Sequence, residues 1–217
     1  SDRIGKKILV TGNGKCNLTN LNVSKDDYRG NHPCFVVPIL EEFGIQDTLT
    51  FFEKKGLFWK EREGYVYPIS GQASTVLDLL RYTLEQCRVN VVTDCKIKNI
   101  QKKQDFLVQT ENGNYSFDRL ILATGGKAAP KTGSDGSGLL LAKKLGHTVI
   151  RPFPALVQLR CQETYFKSIS GIRTDVVLTL SLDGRIHCVE EGELQITDYG
   201  ISGIPTFQLS RYAAEGL

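Results

Sequence analysis

The sequence contains no methionine and a single tryptophan, and no apolar run in it approaches the ~18 residues needed to cross a bilayer. Nothing at its N-terminus resembles a secretory signal peptide. A content of 41% hydrophobic and 24% charged residues is ordinary for a globular protein, and 217 residues suffice for one large or two small domains. We therefore expect a cytoplasmic protein with no membrane partner.

Regular cysteine spacing and strong charge are missing as well. The six cysteines form no Cys-x-x-Cys pair, which argues against a zinc site or a disulfide framework and predicts reduced thiols. The net charge is only +3 and no run of Lys or Arg occurs, so no nucleic-acid partner is predicted. Neither Gly-x-Ser-x-Gly nor His-x-x-x-His is present. No metal site is predicted, and the catalytic residues stay unknown.

Residues 11–17 form the first of two glycine-rich loops, Thr-Gly-Asn-Gly-Lys-Cys-Asn, after the apolar segment 7–10. Gly12 and Gly14 permit positive φ angles and leave no Cβ to block a ligand. With Asn13 between them they can bring backbone N–H groups close to an anion, and Lys15 adds a positive charge. We expect segment 7–10 to be a short strand or extended arm that delivers a phosphate- or cofactor-facing turn. A plain connection is the commoner role of such turns.

The second loop follows an apolar stretch at 115–124 that ends in Ala-Thr-Gly-Gly, residues 123–126. Small residues at a strand end let the backbone approach a cofactor closely. An ordinary strand-to-loop junction is an equally good interpretation of Ala-Thr-Gly alone. A further glycine-rich segment, 133–138, contains one acidic residue, Asp135. We expect Asp135 to accept hydrogen bonds from the loop's amides.

Together these segments carry a resemblance that covers nearly the whole chain in the right order. It rests on residues 5–17, 64–68, 123–128, 132–138, 154–157 and 199–203. The chain resembles the bacterial flavoproteins known as NAD(P)/FAD-dependent oxidoreductases or aminoacetone-oxidase-family FAD-binding enzymes, and it is similar to a bile-acid flavin reductase of gut bacteria. The resemblance implies an α/β fold: part of a glutathione-reductase-like Rossmann FAD-binding domain with an antiparallel β meander, and part of a β-barrel-like domain.

The resemblance also implies a non-covalently bound FAD, an unknown small-molecule substrate and NAD(P)H as a candidate reductant. The hydroxyl of Thr124 would be a donor to the cofactor, and the backbone near Ile97 would lie against the adenine. Gly133, Ser134 and Asp135 would border the flavin or the substrate. The full set of predicted cofactor-binding residues is Thr11, Gly12, Asn13, Gly14, Lys15, Cys16, Asn17, Ile97, Ala123, Thr124, Gly125, Gly126, Gly133, Ser134 and Asp135.

One feature of that family is absent from the sequence. Its members begin with a Gly-x-Gly-x-x-Gly turn that places the pyrophosphate on a helix N-terminus. No such motif precedes residue 12, where a βαβ unit of about 30 residues would not fit. We therefore expect an internal fragment of a flavin-dependent oxidoreductase that lacks this unit and the C-terminal part, and that is inactive alone. The alternative is a non-catalytic nucleotide-binding or interaction module that has lost the pyrophosphate-binding unit.

Local patterns predict the elements and a boundary at the prolines 152 and 154. Residues 1–150 would form the partial FAD-binding domain, with helices at 33–43, 47–55, 73–87 and 139–146 and strands at 57–61, 65–68, 89–93, 96–101, 106–110, 114–117 and 120–124. Ser70 and Ser74 are the candidate N-caps of helix 73–87. Residues 151–217 would form the partial barrel-like domain, with strands at 156–161, 175–182, 185–189 and 193–197. Glycine turns would lie at 183–184 and 191–192, and 199–203 would open a last helix with Pro205 in its first turn.

Overall fold

The computed structural model describes residues 2–28, 30 and 32–216. The chain divides into two compact units. Unit 1 comprises residues 1–124 and 129–145, and unit 2 comprises residues 125–128 and 146–217. The predicted division into 1–150 and 151–217 remains a prediction, and residues 125–128 group with the second unit.

The first half of unit 1 packs three helices around a small antiparallel sheet. The helices are α1 (Val37–Glu42), α2 (Ile45–Lys54) and α3 (Ala73–Gln86), and the strands are β1 (Thr19–Asn20), β2 (Trp59–Arg62) and β3 (Tyr65–Pro68) in the order β1-β3-β2. The strands predicted at 57–61 and 65–68 are confirmed as β2 and β3, which form a hairpin with a two-residue turn. The core beneath contains buried Leu57, Ala73 and Val76, the last two from the apolar face of α3.

Three details of this region differ from prediction. Segment 7–10 is not extended, because Ile8–Gly14 forms a 3₁₀ helix with a kink. The N-cap of α3 is Gln72, while the hydroxyl of Ser70 accepts a 3.2 Å bond from the Gln72 amide outside the helix. The single helix predicted at 33–43 is a 3₁₀ turn followed by α1, since Pro38 in the first turn of α1 has no N–H for a ladder from the preceding residues.

The second half of unit 1 is a three-stranded meander covered by a helix. Strands β4 (Ile97–Lys102), β5 (Phe106–Thr110) and β6 (Asn114–Phe117) pair antiparallel in sequence order, as predicted, and α4 spans Ser137–Lys144. Ile100, Val108 and Leu141 form the buried core between sheet and helix. Leu120 and Leu122 pack against this core.

The strands predicted at 89–93 and 120–124 are wrong. Neither segment is a strand in the part of the chain that the structure describes. Leu120 and Leu122 turn inward, but Ile121 between them is 89% exposed. A buried parallel strand needs neighbouring strands for its hydrogen bonds and packing on both faces of the sheet. An apolar sequence by itself provides neither. Segment 120–124 packs against the meander core on one face, whereas residues 89–93 are all exposed.

Unit 2 is an antiparallel sheet with one helix across it. Its strands are β7 (Leu159–Arg160), β8 (Arg173–Leu182), β9 (Arg185–Thr197) and β10 (Gly200–Gly203), in the order β7-β10-β9-β8, and α5 spans Ile204–Glu215. The turn at 183–184 is confirmed, with Asp183 and Gly184 both at positive φ. The last helix has Pro205 in its first turn, as predicted. The sheet is open, so the described residues form no closed barrel.

Other predictions for unit 2 need correction. The strand expected at 156–161 is reduced to the two residues of β7. Residues 200–203 form β10 rather than a helix-entry loop. β9 runs without a turn through Gly192, which pairs with Val176 of β8. Gly192 serves packing instead, because a Cβ there would lie 3.3 Å from Cδ of Pro205 on α5.

Among the described residues, no helix combines the length and apolarity needed to span a membrane.

Candidate functional site

Unit 1 contains a cavity of about 320 Å³. That volume is at the lower end of the range for small-molecule sites, about 300–1,000 Å³. Four segments line it, and all of them belong to unit 1. The lining residues are Arg3, Ile4, Gly5, Lys6, Lys7, Val92, Thr93, Asp94, Cys95, Thr124, Thr132, Gly133 and Ser134.

The first wall, residues 3–7, is fixed to helix α3. Nη2 of Arg81 donates a hydrogen bond to the carbonyl oxygen of Ile4, at 3.0 Å. One residue further, Gly5 has φ +79° and lies so close to Leu77 of α3 that a Cβ would be 3.2 Å from Cγ of Leu77 and would overlap its Cδ1. A side chain at position 5 would therefore push this wall away from α3.

The second wall, residues 92–95, is tied to the meander. Nδ2 of Asn112, in the turn between β5 and β6, donates a 3.3 Å hydrogen bond to the carbonyl oxygen of Asp94. The amide of Glu111 in the same turn donates to the carbonyl oxygen of Lys96, at 3.1 Å. The turn thus holds the segment beside the cavity although it belongs to no strand.

The third wall is Thr124, which lies against the first turn of α4. A Cβ on Gly138 would lie 2.8 Å from Cβ of Thr124 and would overlap its Oγ1. Gly138 itself is buried. Only a glycine at position 138 leaves Thr124 where it is.

The fourth wall is a compact turn at residues 132–134. Oγ1 of Thr132 donates a 2.8 Å hydrogen bond to the carbonyl oxygen of Ala129, and Ala129 and Ser134 form an isolated antiparallel bridge. Gly133 follows with φ +109°, a conformation that side chains rarely adopt. The turn therefore closes on itself and presents Thr132 and Ser134 to the cavity.

Asp135 continues this turn into α4. The Ser137 amide donates a hydrogen bond to Oδ1 of Asp135, at 2.9 Å, as the loop position predicts. The Ser137 hydroxyl first, and this amide second, hold the pKa of the Asp135 carboxyl below its usual value of 3.8. Asp135 is ionised at neutral pH and shapes the loop, while the cavity lining stops at Ser134.

The charge of the cavity favours an anion. Arg3, Lys6 and Lys7 line it, against the single carboxylate of Asp94. Lys6 also forms an ion pair with Asp2. Three hydroxyl-bearing threonines and Ser134 complete the polar part of the lining. Cationic side chains with hydroxyl groups and a glycine turn suit the phosphate and ribose groups of a nucleotide.

The backbone conformation of the glycine loop at 11–17 is suited to presenting amide groups to a ligand. Gly12, Asn13 and Gly14 all have positive φ, at 53°, 53° and 81°. A Cβ on Gly12 would lie 2.8 Å from the backbone nitrogen of Asn17, so the loop folds back on itself there. The loop closes through 3.0 Å bonds from the amide of Lys15 to the carbonyl of Gly12 and from that of Cys16 to the carbonyl of Thr11.

The side chain of Cys16 faces inward. It is buried and belongs to the core cluster of Leu57, Ala73 and Val76. The thiol thus fills space beneath the loop. Any contact of Cys16 with a ligand therefore goes through its backbone.

The cavity brings together three of the predicted residues: Thr124, Gly133 and Ser134. Residues 11–17 do not line it, and Ile97 lies at the start of β4, with its side chain packed against the meander core. Gly125 and Gly126 belong to unit 2, where Gly125 has φ +71° and a Cβ on Gly126 would meet no atom within 4 Å. Ala123 is exposed.

Sequence reasoning missed the cavity's largest wall and its cations. Residues 3–7 precede the glycine loop, and in the segment 92–95 only the first two residues were expected to be in a strand, at 89–93. Arg3, Lys6 and Lys7 within five residues were a usable signal, since clustered cations next to a glycine loop suit a phosphate ligand. The contacts to α3 and to the 111–112 turn could not be read from local patterns.

Comparisons with known proteins agree with a Rossmann-type domain. Residues 1–209 match the family model described as HI0933-like protein Rossmann domain. The whole chain is 45% identical over 217 residues to a 3-dehydro-bile acid delta(4,6)-reductase of Clostridium scindens, of which it covers 53%. It is 29% identical over 218 residues to a ribosomal RNA dihydrouridine synthase of Haemophilus influenzae, and 26% over 216 residues to one of Escherichia coli. These alignments cover 97% and 98% of the chain, and 53% of each relative. The chain thus spans about half the length of the curated relatives that it matches.

Proposed function

Because the chain belongs to the HI0933-like family of Rossmann-domain proteins, we propose that it forms part of an FAD-dependent oxidoreductase. The observation that carries this proposal is the cavity of unit 1. Thr124, Gly133 and Ser134, predicted from the resemblance to flavoproteins, lie together there with the cations Arg3, Lys6 and Lys7. A cationic cavity of this size fits the phosphate-bearing part of FAD.

In this proposal the residues of the chain bind and orient the cofactor. Arg3, Lys6 and Lys7 would attract the negative charge of its phosphates, and the hydroxyls of Thr124 and Ser134 would form hydrogen bonds with it. The backbone of the 12–14 loop would offer amides to the same cofactor. When bound, FAD supplies two-electron redox chemistry.

The substrate class that we propose is a small molecule with a carbon–carbon double bond. The name of the Clostridium relative describes reduction of a delta(4,6) bile acid, and that of the other two describes a synthase of dihydrouridine. Both names denote addition of hydrogen across a double bond. The higher identity, 45% against 29%, favours a small molecule over RNA, as does the small net charge of +3. NAD(P)H is the proposed reductant.

The experiment is anaerobic mixing of the reduced flavoprotein, as encoded by its gene, with a 3-oxo bile acid that carries conjugated double bonds. The saturated 3-oxo bile acid is the matched control. We expect reoxidation of the flavin with the unsaturated compound alone, together with a product that has gained two hydrogens. Reoxidation only by uridine-containing ribosomal RNA would favour RNA as the substrate. Failure to bind flavin at all would favour a non-catalytic interaction module.

A further inference from the structure

Segment 120–124 delivers Thr124 to the cavity without the support of a sheet. No residue of this segment is in a strand, and its middle residue, Ile121, is 89% exposed. The segment packs against the meander core through Leu120 and Leu122. Because the segment belongs to no strand, contacts with neighbouring elements help to fix the position of its last residue.

Helix α4 provides such contacts to segment 120–124. Leu141 of α4 is 6% exposed and belongs to the same core as Leu120 and Leu122. One helical turn earlier, Gly138 lies against Thr124, with space for no Cβ between them. The two contacts lie on one helix face, because residues three apart in a helix are neighbours. The face therefore contacts the 120–124 segment at Gly138 and packs into its core at Leu141.

We infer that Gly138 is a positioning residue that sets where Thr124 lies at the cavity and thereby the affinity of the cavity for FAD. This inference rests on the proposed function for its ligand. The three heavy atoms that would lie nearest to a Cβ on Gly138 all belong to Thr124, and Gly138 does not itself line the cavity. A methyl group at position 138 would displace the hydroxyl of Thr124 before it disturbed anything else.

The nature of residue 124 makes the inference testable. Threonine is branched at Cβ, so its side chain has few rotamers and cannot easily turn away from a new methyl group. A Cβ at position 138 would meet both Oγ1 and, at 3.1 Å, Cγ2 of Thr124. Serine keeps the hydroxyl but lacks Cγ2, and its Oγ can rotate. Thr124→Ser should therefore relieve part of the effect of Gly138→Ala, since the 2.8 Å approach of the two Cβ atoms stays.

The experiment compares the wild type with Gly138→Ala, Thr124→Ser and the double variant, by FAD titration and by thermal unfolding. Leu140→Ala, on the exposed side of α4, is the matched control. We expect Gly138→Ala to raise the dissociation constant for FAD about tenfold, or ~1.4 kcal/mol. Leu140→Ala should stay within about threefold of the wild type. The double variant should regain part of the affinity that Gly138→Ala loses, relative to Thr124→Ser alone.

Affinity in Gly138→Ala equal to that of the wild type would overturn the inference, and so would a loss that the double variant retains in full. If Gly138→Ala does not fold, a folded double variant supports the inference and an unfolded one contradicts it. If the wild type binds no FAD, the proposed function fails instead. The same four proteins then test the positioning of Thr124 through their melting temperatures, where additive effects would refute it.

Discussion

Arg81 and Ile4 are joined by a hydrogen bond between residues 77 positions apart in the sequence. Nη2 of Arg81, on helix α3, donates to the carbonyl oxygen of Ile4 at 3.0 Å. The bond holds the cationic wall of the cavity, residues 3–7, against a helix whose other face belongs to the core of unit 1. The strength of this anchor therefore bears on both stability and ligand binding.

Replacing Arg81 by Gln should loosen that wall. The loss of a hydrogen bond from a charged donor lowers the free energy of unfolding by about 1.5–3 kcal/mol, and the half-buried setting favours the lower value. FAD affinity should fall as well, because Lys6 and Lys7 lose their fixed position. Chemical denaturation and FAD titration measure the two effects. Arg62→Gln, an exposed arginine beside Glu63, is the control and should change neither; equal effects of both substitutions would contradict the anchor.

Gly12 should tolerate no side chain. Its φ is +53°, and a Cβ would lie 2.8 Å from the backbone nitrogen of Asn17, so Gly12→Ala adds a steric clash to backbone strain. Gly56→Ala is the matched control, since Gly56 also has a positive φ but open space around its Cα. We expect Gly12→Ala to destabilise by more than the ~1–2 kcal/mol of left-handed strain alone, and Gly56→Ala to show the strain only. Equal melting temperatures for the two variants would refute the clash.

Lys7 should contribute electrostatically to binding. Lys7→Gln removes one of three cations from the cavity and should weaken FAD binding about three- to tenfold at low salt, an effect that shrinks as salt screens the charge. Isothermal titration at two ionic strengths measures this. Lys103→Gln, on an exposed loop of the meander, leaves the cavity unchanged and should bind as the wild type does. A salt-independent loss would mean that Lys7 acts by shape rather than by charge.

Asp135 should make the loop before α4 sensitive to acid. Hydrogen bonds from Ser137 hold the pKa of this carboxyl below 3.8 in the folded protein. A depressed carboxyl pKa stabilises the fold above the unfolded value, and that contribution disappears as the pH falls through the folded value. The wild type should therefore lose more stability than Asp135→Asn when the pH is lowered below 3.8. Thermal unfolding measured as a function of pH tests this prediction. If the stabilities of the wild type and of Asp135→Asn fall in parallel, the lowered pKa of Asp135 is contradicted.

The cysteines should react with alkylating agents in a definite order. Burial first, and then the hydrogen bond to Glu190 and its charge, raise the pKa of the Cys188 thiol. Burial and then the charge of Glu163 raise the pKa of Cys161. Since the thiolate is the reactive form, exposed Cys34 and Cys87 should be modified by iodoacetamide well before these two at neutral pH. Peptide mass spectrometry gives the order, and early modification of Cys188 would show that Glu190 lies elsewhere.

Local patterns predicted those parts of the fold in which neighbouring residues supply the reason for the structure. The apolar stripe of α3, the two-residue turn at Asp183 and Gly184 and the β4–β6 meander all depend on contacts close in sequence. The strand predicted at 120–124 failed because an apolar run does not reveal whether partner strands flank it. The turn predicted at Gly192 was wrong because this glycine leaves space for Pro205 of α5, a contact that is seen only in the folded sheet.

Three residues that line the candidate site could be predicted from the sequence, but the segments that form most of its walls could not. Thr124, Gly133 and Ser134 follow from motifs and meet at the cavity. The wall formed by residues 3–7 depends on Arg81 and Leu77, and the position of Thr124 depends on Gly138. Each of these contacts joins segments that are distant in sequence, and side-chain spacing along the chain carries no information about them.

The central claim is that this chain belongs to a protein that binds FAD through unit 1. The most direct test is an equilibrium titration of the 217-residue chain and of the protein as encoded by its gene with FAD, followed by flavin fluorescence and by quenching of Trp59, the single tryptophan. We predict saturable, stoichiometric binding by the encoded protein that is abolished by Gly12→Val and weakened by Lys7→Gln. Absence of saturable binding, or binding that both substitutions leave unchanged, would contradict the account.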